Sequence, residues 1–126
     1  MRTSEQRRRE ERAETVKSLE ETAIRVQDKL FLKASREIRA GEYQKARMTL
    51  REASRLDMEN PEAYNLLGIS YELEGDMLKA AIFYRVSYYM DQTFQAPSKN
   101  LHRVSRFWYQ SKSELYWGLE SVEGVR

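Results

Sequence analysis

The sequence predicts an all-α fold, a stack of two helical hairpins with a capping helix at the amino-terminal and the carboxy-terminal end. Three observations carry that expectation. Apolar residues recur at helical spacing, and no stretch reads as a strand. Glycine and proline are few, and Gly41, Pro61, Gly75, Pro97 and Gly118 stand where helices should begin or end. Small residues return at a fixed offset of 34 positions, so that Ala34, Gly41, Ala46 and Ala53 fall opposite Gly68, Gly75, Ala80 and Ser87.

The chain divides into a charged helical leader (1–21), a repeat domain (22–120) and a loose tail (121–126). In the leader, Thr3 and Gln6 have capping-box spacing. Glu5 and Arg9, and Glu21 and Arg25, are opposite charges four apart, each pair adding about a few tenths of a kcal/mol to a helix. Ala13, Val16, Leu19 and Ala23 keep helical spacing, so the leader is either an amphipathic helix over the first repeat or a frayed segment. Residues 1–25 carry seven Arg and Lys against six Glu, so Arg7, Arg8 and Arg9 belong to a self-neutralising face rather than an isolated basic arm.

The first repeat spans about 27–60, with a helix from Val26 to Arg39, a turn at Ala40-Gly41 and a return helix from Tyr43 to Leu56, on which Met48 and Leu50 are expected in or near the core. The second spans about 61–94. Asn60 is suited to cap its first helix, Pro61 to occupy the first helical position, Gly75 to end the helix left-handed, and Asp76 to cap the next. Tyr64, Leu67, Gly68 and Tyr71 share one face of the first helix. Ala80, Ala81, Tyr84 and Ser87 form the inner side of the second, which ends at Met90. A capping helix follows over about 95–110, with Leu101, Val104 and Trp108 as its apolar stripe, and a short helix is expected over about 113–117. Phe107, Trp108, Tyr109, Tyr116 and Trp117 make this end aromatic. They either seal the open end of the stack or form a patch for self-association.

These residues carry a resemblance. Tyr64, Leu67, Gly68, Tyr71, Ala80 and Tyr84 match the Trp-x-x-Leu-Gly-x-x-Tyr and Ala-x-x-x-Phe pattern of the tetratricopeptide repeat, with Tyr in place of Trp and Phe and with Gln92 where the pattern has Pro. In the first repeat, Lys33 and Glu37 stand opposite Leu67 and Tyr71, so its leading helix is expected to pack differently. The resemblance implies an α-α superhelix whose leading helices line a concave groove that holds a peptide or helix of another protein. Two repeats bury less than the three such stacks need, so either the flanking helices or a second copy of the chain must cover the ends.

On that resemblance the groove positions are Asp28, Phe31, Ser35 and Ile38 in the first repeat, Glu62, Asn65, Ile69 and Glu72 in the second, and Ala96, Lys99, Arg103 and Arg106 in the third helix. Phe31 and Ile69 would be apolar contacts. Asn65 would fix a peptide backbone by donating and accepting together. Lys99, Arg103 and Arg106, spaced by four and three, would form a basic wall toward acidic groups. Some members of the family clamp a terminal carboxylate with Lys and Asn. Here Phe31, Ser35, Leu66, Ala96 and Asn100 hold the matching places, and four of the five lack the required type, so a general peptide groove is all that carries over.

Composition limits the alternatives. There are 22 basic and 20 acidic residues, a balance that argues against bulk nucleic-acid binding. The absence of cysteine fits a cytoplasmic location. The amino terminus lacks the apolar core of a secretory signal, and no stretch has the apolar length of a membrane span. His102 stands alone, no glycine-rich loop precedes a helix, and no cluster has metal-ligand spacing. The expected protein is therefore a non-catalytic scaffold or adaptor without cofactor or metal, with a self-associating dimer as the alternative.

Overall fold

The computed structural model describes residues 1–56, 60–106 and 114–122. Its elements are five helices, α1 (Ser4–Arg39), α2 (Tyr43–Ser54), α3 (Pro61–Glu74), α4 (Met77–Met90) and α5 (Ala96–Val104), with no strand among the described residues.

The helix starts follow the capping chemistry. Thr3 and Gln6 bond reciprocally, the Thr3 hydroxyl accepting from the Gln6 amide at 3.1 Å and the Gln6 carbonyl accepting from the Thr3 amide at 2.7 Å. The Asn60 side chain accepts from the Glu62 amide ahead of Pro61, and Asp76 accepts from the Lys79 amide. The turn between α3 and α4 closes on Gly75, whose φ of 96° is left-handed, with the Asp76 amide donating back to the Tyr71 carbonyl.

The helices pair as α1 with α2 and α3 with α4, and α5 leans on α4. Helix α3 touches all four others. Phe31, Ala34, Ile38, Ala46, Leu50, Ala53, Leu66, Ile69, Ala80 and Tyr84 form one buried cluster. The small residues allow close approach. A Cβ on Gly68 would come no farther than 3.0 Å from three atoms of the Tyr84 ring, and the Ser87 hydroxyl donates to the Pro61 carbonyl at 2.7 Å. The two hairpins differ at one equivalent place. Tyr71 stacks on Phe83 at 5.4 Å, whereas 34 positions earlier Glu37 is buried and accepts from the Thr49 hydroxyl at 2.6 Å. A hydrogen bond thus stands where the second hairpin has two rings.

Four expectations need correction. The leader and the first repeat's leading helix form one helix of 36 residues. Residues 1–22 are exposed throughout, with Val16 53% and Leu19 65% accessible, so the leader does not cover the first repeat. Met48 is 67% exposed, because the inner face of α2 is taken by Ala46, Thr49, Leu50 and Ala53. No helix forms over residues 114–119; there the Tyr116 amide is claimed by the Asn100 side chain and Gly118 has a φ of 70°. Helix α5 is assigned only to Val104, and residues 107–113, including the aromatic Phe107, Trp108 and Tyr109, lie outside the described residues, as do residues 57–59 and 123–126.

Candidate functional site

The face shared by α1, α3 and α5 carries the predicted groove positions, and residues 114–122 cross it. Asn100 on α5 and Asn65 on α3 hold this strap by its main chain. The Tyr116 amide donates to Asn100 Oδ1 at 2.9 Å. The Tyr116 carbonyl accepts from Asn100 Nδ2 at 2.7 Å and from Asn65 Nδ2 at 2.9 Å. The Trp117 carbonyl accepts from Asn65 Nδ2 at 3.1 Å. Asn100 Nδ2 also donates to Asn65 Oδ1 at 2.9 Å, and both asparagines are fully buried. A side-chain amide offers a donor and an acceptor side by side, so the pair can hold a peptide main chain without reading its side chains.

Arg103 lies beside this pair. Its Nε donates to Glu72 Oε2 at 3.0 Å and its Nη2 to Glu72 Oε1 at 2.6 Å. Glu72 Oε1 also accepts from the Tyr84 hydroxyl at 2.6 Å. Arg103 Nη1 donates to Asn100 Oδ1 and to the Glu114 carbonyl. A two-pronged, fully bonded geometry of this kind is what lets a desolvated ion pair persist in a core.

The strap then continues toward α1. The Arg39 guanidinium lies 4.2 Å from the centre of the Trp117 ring. Leu119 is buried in the common core, with Leu115 and Val122 packed against it. Ser121 and Val122 border an open pocket shared with Gln27, Asp28, Phe31, Asn60 and Glu62. Burial raises the Asp28 pKa from its ordinary value.

The predicted site residues therefore separate into groups. Phe31, Ser35, Asn65, Ile69, Glu72 and Arg103 are buried, and Glu62 is partly covered. Phe31 and Ile69 belong to the core, and the Ser35 hydroxyl donates to its own helix at the Leu32 carbonyl. The basic wall is not continuous: Arg103 turns inward to Glu72, while Lys99 and Arg106 stay exposed. With Ser98, His102, Arg103, Glu114 and Tyr116, these two line an open cleft. Lys99 Nζ stands 5.1 Å from the Tyr116 ring centre, and the Tyr116 hydroxyl donates to Glu114, whose bond and charge raise the tyrosine's pKa.

Sequence reasoning left out Asn100 as a binding residue and missed the strap altogether. The offset offered one signal, since Asn100 follows Asn65 by 35 positions, close to the repeat length. Among the described residues there is no cluster of three or more potential metal ligands, and no helix long and apolar enough to cross a membrane. Compared with protein-family models, with curated proteins and with solved structures, the chain matches none.

Proposed function

We propose that this chain is a non-catalytic interaction module or adaptor of the tetratricopeptide-repeat kind, taking a peptide segment of a partner protein along the face of α1, α3 and α5. The observation that carries this reading is the Asn65–Asn100 pair, which makes four hydrogen bonds to main-chain groups of Tyr116 and Trp117. Main-chain amides and carbonyls of this kind are present in any peptide. The incoming segment would take the place of residues 114–119, and Lys99, His102 and Arg106 beside it would face its acidic groups. The pairing of successive helices and the small residues spaced by 34 support the repeat kinship. A cytoplasmic location accords with this role.

The test is a peptide-display selection against the whole chain, followed by hydrogen exchange with a selected peptide. Slower exchange in α3 and α5 is expected, together with loss of binding in an Asn65→Ala variant that keeps its helicity. Selected peptides that protect α4 and leave α3 and α5 unchanged overturn the proposal.

A second reading, a self-associating structural protein, has its own support. Leu78, Ile82, Val86 and Tyr89 are exposed at helical spacing on α4, and Val16, Leu19 and Val26 are exposed on α1. Sedimentation decides it, since a monomer throughout the micromolar range removes this reading.

A further inference from the structure

We infer that residues 114–122 are a built-in ligand of the inner face, and that Tyr116-Trp117-Gly118-Leu119 is the motif this face selects. The motif is a peptide with an aromatic residue, then a glycine in the left-handed conformation, then a large aliphatic residue. The inference rests on the proposed peptide-binding role and adds to it what sort of peptide is taken.

The main-chain bonds from Asn65 and Asn100 grip without selecting. Selection falls to three consecutive side-chain positions. At the first, the Trp117 ring lies beneath the Arg39 guanidinium, a place that rewards a flat aromatic face. At the second, Gly118 is buried with a φ of 70°, a conformation that L side chains rarely adopt. A Cβ there would lie 3.1 Å from the Ala96 Cβ and closer still to the Phe94 ring. Two independent penalties, steric and conformational, thus favour glycine over every other residue. At the third, Leu119 is 1% exposed within the same core cluster as Phe31 and Ile69. A polar residue there would lose its water without a partner.

The strap is covalently attached, so it competes at a local concentration in the roughly millimolar range set by its tether. A free peptide of the same sequence must overcome that competition. The intact chain is therefore self-blocked, and a partner would have to offer the same motif with additional contacts, for instance to Lys99 and Arg106.

The experiment converts the strap into a separable piece. A protease site is placed between Arg106 and Glu114, and the chain is cut with all its residues retained. A fluorescent peptide of residues 114–122 (ELYWGLESV) is then titrated into cut and intact chains, alongside a peptide carrying Gly118→Val. The cut chain should take up the native peptide saturably. The intact chain should bind it at least about tenfold more weakly because of the tether. The Gly118→Val peptide should lose at least about tenfold in affinity for the cut chain. Should the cut chain lose helicity on dilution, the native peptide and not the Gly118→Val peptide should restore it. Equal behaviour of the two peptides, no uptake by a cut chain that stays helical, or no recovery by one that does not, overturns the inference.

The two proposals fail separately. A partner peptide that protects α3 and α5 without being displaced by the native 114–122 peptide leaves the binding role standing and removes the motif. Selective uptake of the native peptide, with no partner found for α3 and α5, does the reverse.

Discussion

Asn100 Nδ2 donates to Asn65 Oδ1 at 2.9 Å, a bond between buried side chains that joins α5 to α3 beside the Arg103–Glu72 pair. It also fixes how both amides point. With its oxygen satisfied by Asn100, Asn65 turns its nitrogen toward the Tyr116 and Trp117 carbonyls. Asn100 in turn accepts from the Tyr116 amide and from Arg103. The strap is held because each amide orients the other.

The Arg103–Glu72 pair should behave as part of the core. Arg103→Ala leaves the buried Glu72 carboxylate without its two-pronged donor, and chemical denaturation should show a loss of about 3–5 kcal/mol. Arg103→Glu should be worse, because it sets a second carboxylate beside the first. Arg106→Glu, on an exposed side chain of the same helix end, should change stability by less than about 0.5 kcal/mol. Equal effects at the two positions would show that Arg103 is not the buried partner described.

Gly68 is tied to the Tyr84 ring. Tyr84 is fully buried, and its hydroxyl donates to Glu72, so it has little freedom to withdraw from an added methyl group. Gly68→Ala should cost about 1–3 kcal/mol through overpacking, against the usual helix-stabilising effect of that exchange. The urea midpoint reads the outcome, and a stabilised variant would contradict the close approach.

Two aspartates should respond to acid in opposite senses. Asp91 accepts from the hydroxyl of Thr93 and from its amide, and these bonds hold its pKa below the ordinary value. Its contribution is present above the unfolded pKa and is lost as pH falls through the folded one. Burial raises the Asp28 pKa instead, so its contribution is fully present below the unfolded pKa and is lost as pH rises through the folded one. NMR titration should place Asp28 above Asp91, and Thr93→Val should move Asp91 upward while leaving Asp28 unchanged.

The exposed leader should matter little to stability. Its described ion pairs, Arg2 with Glu10 and Arg9 with Glu5, join exposed side chains. Removing residues 2–22 should lower the total helical signal while shifting unfolding free energy by less than about 1 kcal/mol. A large loss would show that the leader covers apolar surface, as it would in an assembly of two or more copies.

Local physics made much of the fold legible. Thr3, Asn60, Pro61, Gly75 and Asp76 act on backbone groups within a few positions of themselves, so their roles can be read without knowing what the helices pack against. Gly68, Ala80 and Ser87 announced close packing because small residues at a repeat spacing have few other uses. The inner face was harder. Asn65 was legible as a backbone-binding amide and Arg103 as a two-pronged cation, but the groups they hold were not.

The sequence by itself determined the helices and their ends, and the small residues that draw the hairpins together, because capping, backbone preference and periodicity act over short spans. Only the tertiary structure decided what occupies the inner face. Glu72 meets Arg103 across 31 positions, and Asn65 meets Tyr116 across 51. The first depends on how α5 docks against α3, and the second on where a segment without helical periodicity lies against that surface. No local pattern around Tyr116, Trp117 or Gly118 encodes that placement.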